Sequence, residues 1–409
     1  MKILFVGSVV SQGTSDHITL KSKVKPSVAP INFQRNLLKG LRSNDNSLDM
    51  TIFSLPPVAM FPKGCFFSWG SRTENVCGYD VHFIPAVNTP AIKQLSIFLS
   101  AFVMCFSWGW KNRKIKDKVV LVYGQTLYVA AAQIIACKLL QIKSCNIVTD
   151  PIRYRSDYDK QNSISKKIIN LQWRFTEKLK KNYSSFIFLT EAMIQDYVTD
   201  GKPYIILEGI ADLEIFQNIK EPEKAFPPAV MYSGALTEGF GIPCLLESFQ
   251  KIEGNVQLWL FGAGTCDEQI RRAQENDQRI KYWGKVPWND LLLHMKEASL
   301  LLSVKPVDAD HSFYQFPSKL MEYMSSGTPV LSTRVKGIPE EYFEYVYPIE
   351  NDSVEGFARA ISRIITLNSS ELSKKGIIAK QFIRDKKNCV FQASRIVSLL
   401  SSIIQSENG

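Results

Sequence analysis

No C-x-x-C pair occurs anywhere in the 409 residues of the chain. The eight cysteines, Cys65, Cys77, Cys105, Cys137, Cys145, Cys244, Cys266 and Cys389, therefore lack zinc-finger spacing. Several sit inside apolar runs and read as small core residues, which favours a reducing cytoplasm. Histidine is scarce. His17, His82, His294 and His311 are scattered, so no metal site is expected. There is no internal repeat and no low-complexity segment. The uncharged run Leu95–Trp110 is shorter than the ~20 residues a spanning helix needs. The opening MKILFVGSVVSQG is broken by Gly7 and Ser8, with no small-residue cleavage site at the right distance. It reads as a first strand entering a glycine turn rather than as a signal peptide.

What is present is an ordinary globular composition, 45% hydrophobic and 22% charged, which excludes a disordered chain. The 49 basic residues exceed the 39 acidic ones, for a net charge of +10. Such an excess points to an anionic partner: phosphate, nucleic acid or a membrane surface. The basic residues are not interleaved with aromatics in a recognisable nucleic-acid module, so nucleic acid is not expected.

Short apolar runs alternate with longer amphipathic ones. Strands are predicted at Lys2–Val6, Met50–Ser54, Val81–Ile84, Val119–Tyr123, Cys145–Thr149 and Phe186–Leu189, and helices at Asn32–Leu41, Leu127–Leu140 and Ile164–Lys181. IKEPEKAFPP, residues 219–228, concentrates proline and charge as a linker does. The alternation then restarts. Strands are predicted at Val230–Ser233, Val256–Phe261, Ile280–Trp283, Leu300–Val304 and Val330–Ser332. The helices are Leu245–Ile252, Asp267–Asn276, Trp288–Ala298, Pro317–Ser326 and Val354–Ile365. The class is α/β, with two Rossmann-like parallel-sheet domains at 1–215 and 216–385 and a C-terminal helix in 386–409. Ligands of such sheets bind beyond the carboxyl ends of the strands, and two facing domains put the site in a cleft.

Three turns place glycine at a predicted strand's carboxyl end. They are YSGALTEGFGIPCLLESF from residue 232, FGAG from 261 and YWGKVP from 282. Glycine lets a backbone approach a ligand closely, and a following helix offers unpaired N–H groups to a phosphate. A glycine turn is also the default join of strand to helix. FYQFPSKLMEYMSSGTPV, from residue 313, carries more information. Pro317 suits a first helical turn. Ser318 and Lys319 then lie in that turn, where N–H groups and a cation can face a phosphate. Glu322, one turn on, can accept two hydrogen bonds from vicinal hydroxyls such as those of a ribose, or simply lie on a solvated helix face.

With these residues the chain resembles the retaining GT-B glycosyltransferases of family 4, also called glycosyl transferases group 1. The likeness runs through the C-terminal half and is most specific in FPSKLMEYMSSGTPVLST. In the N-terminal half it is carried by MKILFVGS, VTDP, FLTEAMIQDY and ILEGIAD. It implies a GT-B fold, an acceptor-binding first domain, a nucleotide-sugar-binding second domain and a C-terminal helix returning to the first. Glu322 matches the second glutamate of the family's E-x7-E motif, which holds the donor ribose, and Tyr314 stands where the first would be. The arginine and lysine that often bind the donor diphosphate would fall at Ala235 and Phe240 and are absent. A subset with a G-x-L-x-x-x-[YF]-G-I entry and an FPSK helix start lacks them too. By this likeness the diphosphate relies on backbone N–H groups at Gly234 and at Ser318, Lys319 and Leu320, with Ser233, Tyr314 and Pro317 also counted among the donor-binding residues. Lys319 and Lys305 supply the cations, and the base lies near Gly262, Gly264 and Val286.

The implied reaction moves a sugar from a nucleotide-sugar, expected to be UDP-linked, to an acceptor hydroxyl with retention, without metal or cofactor. Asp150 and His311 are candidates to act at the reacting groups beside Lys319 and Glu322; Asp150 can equally cap its turn. His17, expected in the loop after the first strand, and Arg153 and Arg155 are candidates to meet the acceptor. The acceptor expectation rests on the Leu95–Trp110 run, the basic residues Lys111, Arg113, Lys114, Lys116 and Lys118 behind it, and Lys21, Lys23 and Lys25. An apolar helix with a basic flank can lie in a bilayer interface, or be buried between domains. A polyprenyl-diphosphate-linked saccharide on the inner face of the cell membrane explains all three features. It fits the synthesis of a capsular, exopolysaccharide or O-antigen repeat by a cytoplasmic, peripheral enzyme. The rival readings are an inactive membrane-attached sugar-nucleotide scaffold and a nucleotide-sugar epimerase on the same fold.

Overall fold

The structure is a computed structural model and describes residues 1–44, 48–90, 92–124, 127–149, 163–197, 201–307 and 312–405. The chain forms two compact units, Met1–Ile210 with Cys389–Gly409, and Ala211–Asn388. The divisions fall a few residues from the expected 215/216 and 385/386, for a local reason. Ala211 pairs with Asn388 in an isolated bridge, and its N–H donates to the Lys387 carbonyl at 2.9 Å. On the other side of the division, the Ile210 carbonyl accepts from Asn36 Nδ2 at 3.0 Å.

The first unit opens with β1 (Lys2–Gly7), α1 (Gln12–Lys21), α2 (Val28–Asn44) and β2 (Asp49–Ser54). Then come β3 (Ser68–Trp69), β4 (Thr73–Val76), β5 (Tyr79–Phe83), β6 (Ala86–Val87) and α3 (Lys93–Lys111). It continues with β7 (Lys118–Tyr123), α4 (Leu127–Leu139), β8 (Lys143–Val148) and α5 (Ser163–Lys180), and ends with β9 (Ser185–Phe188), α6 (Ala192–Tyr197) and β10 (Tyr204–Ile206). Eight strands form one sheet in the order β10-β9-β8-β7-β1-β2-β5-β4, and all pairs but β4–β5 are parallel. Ile3, Leu4 and Phe5 of β1 are all fully buried, as a strand covered on both faces must be. The hairpin β4–β5 was not expected. Its turn is the pair Cys77–Gly78, with φ of 53° and 82°, the backbone a two-residue hairpin requires.

The second unit runs β11 (Ala229–Ala235), α7 (Ile242–Gln250), β12 (Gln257–Ala263), α8 (Asp267–Asn276), β13 (Ile280–Gly284) and α9 (Trp288–Glu297). It continues with β14 (Leu300–Ser303), α10 (Ser318–Ser326), β15 (Val330–Thr333), β16 (Tyr347–Ile349), α11 (Val354–Ile365) and α12 (Ser369–Phe382). Its six strands are all parallel, in the order β13-β12-β11-β14-β15-β16. That order reverses between β11 and β14, so the crevice for a ligand opens beyond the carboxyl ends of those two strands.

The last helix, α13 (Cys389–Gln405), belongs to the first unit. Its Ala393, Ile396, Leu400 and Ile403 join that unit's core. It lies so close to α2 that a Cβ on Gly40 would sit 2.0 Å from the Cys389 carbonyl oxygen. Among the described residues, no helix is long and apolar enough to cross a membrane.

Candidate functional site

The crossover between β11 and β14 brings together most of the second-unit residues singled out in the sequence. β11 ends at Ser233 and Gly234, and β14 runs on into Lys305. The α10 helix starts on the segment that leaves β14.

Tyr323 of α10, which the sequence reading did not select, sets the end of β11. The Ser233 N–H donates to the Tyr323 hydroxyl at 2.8 Å, and that hydroxyl donates to the Ser233 carbonyl at 3.0 Å. Ser233 Oγ lies 3.1 Å from the same oxygen. Burial raises the Tyr323 pKa, so the phenol keeps its proton and can donate. A tyrosine one residue past Glu322 on the buried face of α10 was the available signal, because a buried Tyr hydroxyl needs a partner. The Ser233 N–H is thus consumed within the fold and is not available to a ligand, and the Leu236 N–H beyond it donates to the Ala263 carbonyl at 3.2 Å.

The first turn of α10 differs in detail from expectation. Pro317 is the residue before the helix, with φ −73° and ψ 95°, and not its first residue. Its carbonyl accepts the Leu320 N–H at 2.8 Å, so Leu320 gives the core a side chain and leaves no N–H for a ligand. Ser318 and Lys319 remain, at the positive end of the helix, with no carbonyl one turn earlier to bond. Ser318 is exposed.

Lys319 is partnered. Its Nζ lies 2.9 Å from Glu322 Oε2 and 5.4 Å over the ring of Trp288. Burial alone would lower its pKa, but the Glu322 carboxylate more than offsets this and holds it above the ordinary lysine value. Trp288, the first residue of α9, is largely exposed and was also missed. It directly follows the Val286–Pro287 turn, and an exposed tryptophan behind a glycine turn could have drawn notice. Val286 is half-buried against the second unit's core. Lys305 Nζ donates to Gln315 Oε1 at 2.9 Å, beside the short turn Ser312–Tyr314, in which Tyr314 is buried against Phe313.

The glycines divide by cause. A Cβ on Gly262 would lie 1.9 Å from the Gly234 carbonyl oxygen, and one on Gly264 would lie 2.1 Å from that of Leu236. Close approach of backbone to backbone therefore accounts for both glycines, without a ligand. The Gly264 N–H moreover donates to the Asp267 carboxylate at 2.7 Å, which places negative charge at that turn and makes it a poor phosphate site. Gly241 takes the left-handed conformation, φ 77°, and a Cβ there would meet the Val304 carbonyl at 2.4 Å, where α7 passes the end of β14.

Of the first-unit candidates, His17 lies within α1 rather than in a loop, because Ser11 caps a helix whose first turn accommodates the chain after β1. It is exposed, and its ring stacks on Phe66 with centroids 5.6 Å apart. Asp150, Arg153, Arg155 and His311 lie outside the described residues. Among the described residues, no group of three or more His, Cys, Asp or Glu is placed to hold a metal ion.

Residues 227–366 match the family model described as glycosyl transferases group 1. The amylovoran biosynthesis glycosyltransferase AmsK of Erwinia amylovora is 27% identical over 120 residues, which is 28% of this chain and 30% of that relative. Sucrose-phosphate synthase of Thermosynechococcus elongatus has a similar structure, with a TM-score of 0.65 at 14% identity, covering 99% of this chain and 100% of that one. The lipopolysaccharide outer core galactosyltransferase WaaB gives 0.62 at 13% identity over 98% and 99% of the two chains. Anabaena HepE, solved in complex with UDP, gives 0.62 at 13% identity over 98% and 100%. At these identities the structural likeness speaks for the fold, which is GT-B: two parallel-sheet α/β domains. The likeness to the glycosyl transferases group 1 model lies within the second of them, at residues 227–366.

Proposed function

We propose that the protein is a glycosyltransferase that binds a nucleotide-sugar, UDP-linked, at the β11–β14 crossover and transfers the sugar with retention. The observation that carries this reading is the arrangement there of the Gly234 turn, the first turn of α10 and the Lys319–Glu322 pair. The family match across this unit supports the donor class, as does the structural likeness to HepE, which was solved with UDP bound.

In this proposal the Ser318 and Lys319 N–H groups and the Lys319 ammonium meet the diphosphate. Charge grows on the diphosphate as the glycosidic bond breaks, and donors already in position stabilise it without reorganising. Glu322 takes the ribose hydroxyls, so a bound donor exchanges the Lys319–Glu322 contact for one partner each. Lys305 is the second cation. The first unit takes the acceptor, with His17, Arg153 and Arg155 contacting it and Asp150 and His311 assisting at the reacting groups. The acceptor is a polyprenyl-diphosphate-linked saccharide held at the inner face of the cell membrane, in the synthesis of a surface polysaccharide. The relatives named for amylovoran and lipopolysaccharide core synthesis are in keeping with that class.

The test is thermal stability against a panel of nucleoside diphosphates and nucleotide-sugars, on the wild type and on Glu322→Ala. A ligand that binds the folded state raises Tm by mass action. One nucleotide should raise Tm in the wild type and do so much less in the variant. No shift with any nucleotide would overturn the donor reading. Tight binding without turnover on any lipid-linked saccharide would favour the scaffold over the enzyme.

A further inference from the structure

The first unit carries an apolar surface that the chemistry above does not use. On α3, Ile97, Ala101, Cys105 and Trp108 face the core. Leu95, Leu99, Val103 and Trp110 are instead 60%, 51%, 59% and 54% exposed. Phe98, Phe102, Phe106 and Trp110 stack one turn apart, with centroids 6.5, 5.7 and 6.1 Å from one another. The result is an apolar ridge about 24 Å long, from Leu95 to Trp110. A helix facing only water would carry polar residues there.

The charge around the ridge is one-sided. Between Asp80 and Asp150 the sequence holds a single acidic residue, Asp117, against eight basic ones. This excess of seven, in a stretch of 69 residues, is most of the chain's +10. Five of those basic residues, Lys111, Arg113, Lys114, Lys116 and Lys118, directly follow the exposed face. The Arg113 guanidinium lies 5.1 Å over the Trp110 ring, which joins the cationic and aromatic parts into one surface.

The other end of α3 repeats the pattern. Asn88 Nδ2 donates to the carbonyls of Ala59 and Phe66 at 2.8 and 2.7 Å, holding a loop that exposes Phe61 and Phe67. The Lys63 carbonyl in that loop accepts the N–H groups of Lys23 and Val24 at 2.8 and 3.2 Å, beside exposed Lys21 and Lys25.

We propose that the exposed face of α3 docks on an anionic lipid bilayer. The helix lies in the interface with its leucines and aromatic residues among the acyl chains and its basic ends at the headgroups. The sign of the charge chooses this occupant. A second copy of the chain would bring like-charged flanks together, whereas an anionic bilayer neutralises them while it covers the apolar ridge. The inference rests on the proposed membrane-held acceptor for its purpose, and its test does not pass through the donor site.

The full chain is sedimented with vesicles of phosphatidylcholine alone and of an equal mixture of phosphatidylcholine and phosphatidylglycerol. Two variants are compared with it, Leu95→Gln/Leu99→Gln/Val103→Gln and Lys114→Glu/Lys116→Glu, with thermal melts to show that each is folded. The wild type should pellet with the anionic vesicles and much less with the neutral ones. The apolar variant should lose most binding to the anionic vesicles. The charge variant should lose at least about 25-fold, since each of the two basic residues it removes contributes roughly fivefold near an anionic surface, and added salt should weaken the wild type in the same direction. Nucleoside diphosphate binding should be unchanged in both variants, so a failure of the donor reading would show separately. A wild type that stays in the supernatant with anionic vesicles would overturn the proposal, as would folded variants that pellet like the wild type. Self-association of the wild type that the apolar triple variant abolishes, without vesicle binding, would overturn it in favour of a contact between copies.

Discussion

The Tyr323 hydroxyl satisfies both backbone groups of Ser233, a residue 90 positions earlier, accepting its N–H at 2.8 Å and donating to its carbonyl at 3.0 Å. Through this contact the α10 helix and the end of β11, the two elements proposed to meet a diphosphate, are held as one body.

Tyr323→Phe should therefore reduce stability by about 1–3 kcal/mol, because a buried N–H and a buried C=O lose their partner with little change in packing. It should also weaken nucleotide binding through the displaced Gly234 turn. Denaturant melts and nucleotide titration read the two effects. An unchanged midpoint would show that the hydroxyl has no such role.

Lys319→Met should lower the rate of sugar transfer by roughly 10²–10³, the loss typical of removing one fixed donor from developing negative charge. Stability should change by no more than about 1 kcal/mol, because the pair with Glu322 is partly exposed. Single-turnover kinetics beside a thermal melt separate the two. A variant that transfers at the wild-type rate would remove Lys319 from the proposed role.

Glu74 ties the β4–β5 hairpin to the start of α1. It accepts the Ser11 N–H at 3.1 Å and the Thr14 hydroxyl, and pairs with Arg72 at 2.8 Å. Burial would raise its pKa, but these hydrogen bonds and the arginine outweigh burial and hold it below the ordinary 4.5. The unfolded chain therefore binds the proton more readily. The stability from Glu74 is whole above about 4.5 and is lost as pH falls through the lower folded value. Melts across that range should show a decline that is smaller in Glu74→Gln, and parallel pH profiles for the two proteins would count against this account.

Two glycines with positive φ should respond very differently to alanine. Gly262→Ala places a Cβ 1.9 Å from the Gly234 carbonyl oxygen, so β11 and β12 must part and the variant should lose more than about 3 kcal/mol or fail to fold. Gly284 has φ 64° and open space around it, so Gly284→Ala should cost only the left-handed conformation, about 1–2 kcal/mol. Comparable melts for the two would be inconsistent with the steric reading of Gly262.

Much of the second unit was legible in the sequence. Asp267–Asn276 and Val354–Ile365 are helices with the bounds their periodicity implied, and the five strands expected there stand within a few residues of expectation. The first unit was less legible where pairing is non-local or elements are short. The hairpin strand Thr73–Val76 and the three-residue Tyr204–Ile206 carry too few residues for a pattern. The polar helix Gln12–Lys21 has no apolar stripe to announce it and depends on Ser11 and Glu74 at its start.

The sequence by itself determined the alternation of strand and helix and the placing of FPSK at a helix start. These follow from side-chain period and from backbone limits at proline and glycine, which act over a few residues. Only the tertiary structure decided which ends meet. The strand order that reverses between β11 and β14, the contact from Tyr323 to Ser233, the pairing of Lys319 with Glu322, and the use of Gly262 for strand packing all depend on neighbours distant in the chain or on how side chains settle in the packed unit. Local sequence sets what each segment can be, and packing selects, from the polar groups so brought together, which are consumed within the fold and which remain for a ligand.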